Sequence, residues 1–180
     1  MIPRPTPAEY APYYETYIGK VPPGDIIDLL AGGVEETTRL IHDLNDQQAV
    51  FRYGRGKWSI KEILGHLSDT ERVYTYRALR FARNDATVLP GFDQDKFVDE
   101  AAFDARPLAD ILDEFRAVRA ASIAFFRGTS AATLLRRGTA SGFEFTVRAI
   151  PYILAGHEIH HVGVIKERYL RAMENPGSSK

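Results

Sequence analysis

The sequence predicts an all-α protein that folds as a four-helix bundle with one long crossover connection. Four segments carry apolar residues at helical spacing, and residues that start or stop helices bound most of them. The connection between the second and third segments is far longer than the short loops of an up-down-up-down bundle, which indicates a crossover. The predicted helices span residues 25–44, 59–83, 107–127 and 146–172, and the crossover spans residues 84–106.

An irregular arm is expected to precede the bundle. Six of the ten prolines lie among the first 23 residues, together with four tyrosines. Proline removes a backbone donor and restricts φ, so this segment is predicted to lie over the domain in an irregular form. The predicted boundaries are an arm over residues 1–22, the bundle over residues 23–174 and a tail over residues 175–180.

The first two helices have recognisable starts. Asp25 follows Pro-Pro-Gly and is expected to cap the first helix. Ser59 and Glu62 match the capping box, in which the serine accepts a hydrogen bond from the first turn and the glutamate reaches back to the cap. Trp58 precedes this box as a candidate hydrophobic staple. The second helix therefore has the clearest start in the sequence.

The boundaries in the second half of the chain are less sharp. Pro107 suits the first turn of the third helix. The helical pattern then breaks between Gly128 and Phe145, where glycines and an alternating Phe-Glu-Phe run predict a turn or a small hairpin. Pro151 interrupts the last predicted helix, which must either begin late or bend at that residue.

Composition is typical of a soluble globular domain and excludes several classes of site. The chain is 44% hydrophobic and 26% charged, with a formal net charge of −1. No global field therefore favours nucleic acid or an anionic membrane, and neither a signal peptide nor a membrane span is predicted. The absence of cysteine excludes disulfides and thiolate ligands, and it fits a cytoplasmic protein.

Three histidines on two helices predict a metal site. His157 and His161 lie four residues apart on the last helix and would share one face. His66 lies on the apolar second helix, where a polar ring needs a partner. Three imidazoles and one open position are typical of a catalytic rather than a structural metal site. Because side chains on facing helices build the sites of bundles, these three histidines are the predicted ligands of one metal.

Three further residues are candidates for contacting a ligand ring or a substrate. His160 lies on the neighbouring flank of the last helix, and Glu158 lies between the two predicted ligands of that helix. Asp69 follows His66 by about one turn and could orient a ligand ring, although a solvated helix carboxylate explains it equally well.

The same segment allows two other metal-dependent interpretations. His157, Glu158 and His161 match H-E-x-x-H, the zinc-peptidase pattern, but no further histidine follows them in the chain. A di-metal bundle would use Glu158 and His161 as E-x-x-H, yet Glu62 and His66 are four residues apart rather than three. The three-histidine site is the favoured interpretation, and the other two stay open.

Two motifs resemble the DinB-like superfamily. Residues 56–67, with the sequence GKWSIKEILGHL, are similar to its second helix, and residues 156–161, GHEIHH, are similar to its last helix. The resemblance covers residues 20–172 and implies a four-helix bundle with a crossover between helices two and three, often assembled as a homodimer. It also implies a divalent metal on three histidines, which by position are the three named above.

The resemblance further implies, by analogy, a thiol-dependent transferase or isomerase that acts on a small molecule with bacillithiol, mycothiol or glutathione. Because the chain has no cysteine, the low-molecular-weight thiol would be external, and its sulfur would bind the open metal position. Arg77, eleven residues after His66 and on nearly the same face, could meet an anionic group of such a cofactor. Zinc and nickel are the expected metals. The alternative is a non-catalytic metal-binding bundle of a stress response.

Overall fold

Four long helices form the bundle, as the sequence predicts. In the computed structural model, which describes residues 1–174, these helices are α2 (Ile26–Ile41), α4 (Ile60–Ala82), α6 (Leu108–Arg127) and α8 (Ala149–Val164). Shorter elements precede, connect or follow them: α1 (Glu15–Ile18), α3 (Asp46–Ala49), α5 (Gln94–Ala101), α7 (Ala131–Leu134), α9 (Arg171–Glu174), strands β1 (Arg137–Ala140) and β2 (Phe143–Thr146), and 3-10 turns at Pro7–Glu9, Pro12–Tyr14 and Phe103–Ala105. Every helix in this range is too short or too polar to cross a membrane. The predicted tail, residues 175–180, lies outside the described residues.

Hydrogen bonds confirm both predicted helix starts. The Asp25 side chain accepts from the Ile27 amide at 2.8 Å and begins α2. The Ser59 hydroxyl accepts from the Glu62 amide at 3.0 Å, while the Glu62 carboxylate accepts from the Ser59 amide at 2.6 Å, so the capping box begins α4. Pro107 precedes α6 as its cap instead of occupying the first turn. The side-chain caps satisfy amides that a helix leaves without an internal acceptor.

The packing order of the four helices differs from their order along the chain. α4 packs against α6 and α8, and α2 packs against the same two helices. α2 and α4, although consecutive in the bundle, therefore lie diagonally across it. This arrangement sets α4 beside α8, so the two helices that carry the predicted metal ligands are neighbours.

A layer of polar side chains divides the core into two apolar clusters. One cluster combines the arm with the C-terminal half of α4 and the first turns of α8, around Phe81. The other joins the N-terminal half of α4 to the first half of α6, around Leu64. Between these clusters along the helices lie the buried polar residues His66, Ser68, Thr70, Glu71, Arg119, Ser122, His157 and Glu158. Because buried polar groups need partners and often mark function, this layer is where a site is expected.

The crossover is ordered by a helix and by contacts at both ends. α5 begins after Asp93, whose carboxylate accepts from two amides of the first turn. Near the start of the crossover, Leu89 exchanges backbone hydrogen bonds with the hairpin at 2.9 and 3.1 Å. Near its end, the Phe103 ring lies so close to Gly65 of α4 that a Cβ at that position would be 2.2 Å from the ring. The long connection is therefore clamped to the body of the bundle.

A small hairpin occupies part of the stretch where the helical pattern breaks, which confirms that prediction. β1 pairs antiparallel with β2 in a register that sets Arg137 opposite Thr146. The two linking residues, Ser141 and Gly142, have φ values of +53° and +81°, as the tight two-residue turns of hairpins require.

The last bundle helix starts at Ala149, later than the sequence pattern predicts. Pro151 thereby falls in its first turn, where the missing amide donor costs no helical hydrogen bond. The helix continues as a π-helical segment, Ile165–Leu170, before α9. The Tyr169 hydroxyl of that segment donates to the Trp58 carbonyl at 2.5 Å and ties the end of this helix to the start of α4.

The N-terminal arm lies over α8 and contains short helical turns rather than a wholly irregular path. Its α1 packs against α8. The Tyr152 hydroxyl of α8 donates to the Ile2 carbonyl at 2.9 Å. The buried Glu9 carboxylate accepts from Arg148 Nε at 2.6 Å and from the Thr146 hydroxyl at 2.9 Å. The arm is therefore fixed to the start of the last helix.

Lowering the pH should weaken this attachment. Hydrogen bonds from Arg148 lower the pKa of Glu9 from 4.5 to about 2 against the opposing effect of burial, with smaller contributions from Thr6 and Thr146. A carboxylate with a lowered pKa stabilises the fold above its unfolded pKa, and that contribution is lost as the pH falls from 4.5 towards about 2. We expect Glu9→Gln to lower the free energy of unfolding by roughly 2–3 kcal/mol at pH 7 and by progressively less at pH 4 and pH 3.

Urea unfolding of the wild type and the variant at each pH measures this difference. Glu144→Gln, which removes an exposed carboxylate from the hairpin, is the control and should change the free energy of unfolding little at any pH. An effect of Glu9→Gln that is the same at pH 7 and pH 3 would contradict the prediction.

Candidate metal centre

Three histidine rings meet where α4 runs beside α8. The Nε2 atom of His157 lies 3.1 Å from Nε2 of His66 and 3.1 Å from Nε2 of His161. One nitrogen of each ring lies within 4.8 Å of the others, and residues 1–174 contain no second cluster of this kind. His66 and His157 are buried, and His161 is half-buried. The structure thus brings together the three histidines predicted from the sequence.

The three rings are neutral at pH 7. Burial lowers the pKa of His66 to about 4. Burial, assisted by the neighbouring histidines, lowers the pKa of His161 to about 3 and holds that of His157 well below its ordinary value. A neutral imidazole carries one proton, so the nitrogens that face one another can each present a lone pair. Facing lone pairs repel each other, but together they can bind a cation.

The spacing of the nitrogens fits a divalent metal. Imidazole nitrogens that bind one zinc ion tetrahedrally at about 2.0–2.1 Å lie ~3.3 Å apart. The two 3.1 Å separations from His157 are close to that value. Three protein nitrogens leave one position of a four-coordinate ion for water or substrate.

Aromatic side chains enclose the cluster. Trp58 lies 4.7 Å from His66 between ring centroids and stacks with His161 at 6.4 Å. From the arm, Tyr17 lies edge-on to His157 at 5.3 Å. Apolar neighbours of this kind exclude water and hold the rings in fixed orientations.

Thr70, rather than the predicted Asp69, contacts the second nitrogen of His66. Its hydroxyl oxygen lies 3.4 Å from Nδ1, which leaves Nε2 to face the cluster. The i,i+4 spacing from His66 is the sequence signal that could have identified Thr70. Asp69 lies 3.4 Å from Arg72, which also binds Glu114 of α6, and burial raises the pKa of Asp69.

Glu158 points into the polar layer and takes part in a buried ion-pair network. Its Oε2 accepts from Arg119 at 2.6 Å, and its Oε1 accepts from the Thr37 hydroxyl at 2.7 Å. Arg119 also binds both carboxylate oxygens of Glu71 at 2.8 to 3.0 Å. Because both of its oxygens already accept hydrogen bonds, Glu158 is poorly placed to act as the base that an H-E-x-x-H peptidase requires.

A cavity of about 200 Å³ reaches the histidine cluster. His66 and His157 line one part of it, and the arm, the crossover and the hairpin supply other walls. Tyr13, another lining residue, is 61% exposed, so the cavity lies next to the protein surface. A metal on the cluster would therefore face a space that a small molecule can occupy.

Arg77 lines the same cavity and is buried. Its Nη2 donates to the Pro90 carbonyl at 3.0 Å and to the Ser141 hydroxyl at 2.8 Å. Its guanidinium lies over the rings of Tyr74 and Phe92, at 4.9 and 5.8 Å from their centroids. The structure therefore places this sequence-predicted candidate in the cavity wall, among neutral and aromatic groups.

His160 lies outside the trio. Its half-buried ring is 5.7 Å from Tyr17 and 5.1 Å from His161 between centroids. It lines a second cavity, of about 270 Å³, together with His161 and Trp58. A larger cavity, about 510 Å³ near Arg127, contains none of the histidines and is remote from this chemistry.

Comparisons with known proteins agree with this architecture. A family model of the DinB superfamily matches residues 29–165. YfiT from Bacillus subtilis, described as a probable metal-dependent hydrolase with an unusual four-helix bundle topology, is 15% identical, with a TM-score of 0.73 over 88% of this chain and 98% of that one. A mycothiol-dependent maleylpyruvate isomerase is 14% identical, with a TM-score of 0.65 over 87% of this chain and 69% of that one. At these identities the likeness shows the fold alone. No curated protein matches the sequence at a significant level.

Proposed function

Because the chain belongs to the DinB superfamily, we propose that it is a metal-dependent enzyme that uses an external low-molecular-weight thiol to modify or isomerise a small-molecule substrate. The observation that carries this proposal is that His66 and His157 line a cavity, so a metal on the cluster would keep one side open. A purely structural site would be closed by four protein ligands.

The ligand set and the composition of the chain define the cofactors of this proposal. Three imidazoles suit a divalent transition metal, and we expect zinc or nickel. When bound, the ion would supply a Lewis acid that keeps a thiol sulfur deprotonated at neutral pH. The chain contains no cysteine, so the thiol must come from solution.

Side chains around the cluster would orient the imidazole rings and the substrate. Thr70 contacts Nδ1 of His66 and so directs Nε2 toward the centre. Trp58 and Tyr17 pack against the imidazole rings and limit the access of water to them. The cavity beside His157 receives the substrate, whose reacting atom would lie next to the open metal position.

Elemental analysis of protein purified without a histidine tag tests the metal site. We expect about one metal ion per chain in the wild type. His66→Ala, His157→Ala and His161→Ala should each lose it. His160→Ala, which removes a ring from the same helix but outside the trio, should keep it. A metal that stays bound without His66 would overturn the three-histidine site.

Thiol consumption in the presence of an electrophilic aryl halide tests the chemistry. Bacillithiol, mycothiol and glutathione should be compared with zinc-loaded and nickel-loaded protein. Removal of one ligand should slow turnover at least ~100-fold, because a bound metal contributes several kcal/mol to such reactions. Stoichiometric metal without turnover of any thiol would favour the non-catalytic bundle, and hydrolysis of peptides would favour the peptidase.

A further inference from the structure

We propose that the cavity beside the histidine cluster contains a carboxylate-binding subsite, in which Arg77 holds the acid group of a small, elongated substrate. What happens at the other end of that substrate, near the histidine cluster, rests on the proposed function. The binding of the acid group does not, because it depends only on Arg77 and the residues around it.

Arg77 is a buried cation that has no carboxylate partner in the described part of the chain. It is 2% exposed, yet it forms no ion pair with an Asp or Glu of residues 1–174. Arg119 is equally buried, but it is bound by Glu71 and Glu158. Because burying a guanidinium without a counter-charge is costly, Arg77 has the environment of a residue whose counter-ion arrives with a ligand.

Neutral contacts hold the guanidinium in place without compensating its charge. One nitrogen donates to the Pro90 carbonyl and the Ser141 hydroxyl, and the Tyr74 ring packs against the guanidinium. Both hydrogen bonds use the same Nη2 atom. Because both Nη2 hydrogens are used, the Nε and Nη1 donors remain, and the fixed guanidinium is preorganised to hold a carboxylate through charge-assisted hydrogen bonds from them.

The distance from Arg77 to the histidines requires an elongated ligand. His66, Thr70 and Arg77 all line the cavity from α4. Eleven residues at a rise of 1.5 Å separate the first and last of these Cα atoms by about 16 Å along the axis. The arginine side chain points back toward the helix N-terminus, which shortens the gap. A ligand bound at both ends must therefore span much of this length.

The remaining walls combine aromatic rings with the polar side chains of Thr70, Gln94 and Ser141, so they suit a ligand whose middle is partly apolar. The rings of Tyr14, Tyr17, Tyr74 and Phe92 contribute to them. Among the lining residues in the described part of the chain, Arg77 is the one arginine, and no lysine or carboxylate accompanies it. The volume of about 200 Å³ is smaller than the roughly 300–1,000 Å³ of pockets for drug-sized ligands. The cavity thus matches a small organic acid.

A carboxylate at this subsite could belong to the electrophilic substrate or to the thiol itself, because some low-molecular-weight thiols are acids. The small volume favours the substrate. Binding experiments with separate probes distinguish the two sources.

Isothermal titration calorimetry of the full chain tests the subsite. The probes are 3-phenylpropanoate, its neutral amide 3-phenylpropanamide, and glutathione, each titrated into zinc-loaded and EDTA-treated protein. A charge-assisted hydrogen bond predicts roughly ten- to hundredfold tighter binding of the acid than of the amide. Because the preference comes from Arg77, it should persist after removal of the metal.

Substitutions assign the preference to one residue. Arg77→Met should abolish it, and Arg77→Lys, which keeps the charge but not the planar fork, should retain part of it. Arg72→Met is the matched control, since Arg72 lies on the same helix but binds Glu114 of α6, and it should bind both probes like the wild type. Melting curves from circular dichroism report whether each variant folds.

Three outcomes would overturn the proposal. An acid preference that survives Arg77→Met but disappears with the metal would place the carboxylate on the histidine cluster. Binding of glutathione alone, dependent on Arg77, would assign the subsite to the thiol. If Arg77→Met does not fold, equal affinities for the acid and the amide in the wild type and in Arg77→Lys would overturn the proposal. Failure of the proposed function, with no metal and no thiol turnover, would leave the acid preference intact.

Discussion

Replacing Arg119 with methionine should lower the free energy of unfolding by about 3–5 kcal/mol. Arg119 is 1% exposed, and its guanidinium binds Glu71, Glu158 and the Leu30 carbonyl. Methionine has a comparable length, but it leaves two buried carboxylates without their counter-charge. Urea unfolding followed by circular dichroism and by the fluorescence of the single tryptophan, Trp58, measures the loss.

Arg116→Met is the matched control for this substitution. Arg116 lies on the same helix, is exposed, and forms an i,i+3 pair with Asp113, so its loss should change stability by less than about 0.5 kcal/mol. A triple variant, Arg119→Met with Glu71→Gln and Glu158→Gln, removes all three charges and should recover part of the loss. A triple variant no more stable than the single one would attribute the effect to packing rather than to unpaired charge.

Replacing Gly156 with alanine should destabilise the protein by roughly 1–3 kcal/mol and loosen the arm. A Cβ at this position would lie 2.1 Å from the Tyr17 carbonyl oxygen and 2.4 Å from its carbon. Both are backbone atoms, so they can move only if α1 moves with them. Helix propensity alone favours alanine by up to about 1 kcal/mol. The close approach of the two backbones therefore makes the substitution destabilising overall. Displacement of Tyr17 would also shift one wall of the cavity beside His157.

Gly163→Ala is the matched control on the same helix. A Cβ at Gly163 meets nothing within 4 Å, so this substitution should be neutral or stabilising by up to about 1 kcal/mol. Urea unfolding measures both variants, and tryptic cleavage after Lys20, followed by mass spectrometry, reports release of the arm. Cleavage should be faster in Gly156→Ala and unchanged in Gly163→Ala. The same response from both variants would mean that the arm is not held by this contact.

Local chemistry made much of the fold and the histidine cluster predictable. Ser59 and Glu62 mark the start of α4 through hydrogen bonds that span only three residues. Pro151 shifts the start of the last helix for an equally local reason, its missing amide. His157 and His161 share a face because of helical periodicity, and the sequence could add His66 only as a polar ring on an apolar helix.

The rest of the site depends on contacts between distant parts of the chain. Arg119 has no sequence feature that separates it from the surface arginines of its helix, because its burial depends on Glu71 and Glu158 on two other helices. Tyr17 belongs to an arm without periodicity, so its position against His157 follows only from docking on α8. The sequence pattern does not indicate the helix within the crossover, because its cap, Asp93, is one of several acidic residues in that stretch.

The arm is translated well before the helix on which it docks. The Ile2 carbonyl accepts a hydrogen bond from Tyr152, 150 residues away along the chain, and Glu9 binds Arg148 at a separation of 139 residues. Loop closure over such lengths is slow and entropically costly compared with pairing of neighbouring helices. A nascent chain can therefore form α2, α4 and α6 on the ribosome while its proline-rich arm is still unattached. The wall that Tyr17 supplies is added only after α8 emerges, so the cavity beside His157 is completed as one of the last events in the folding of this chain.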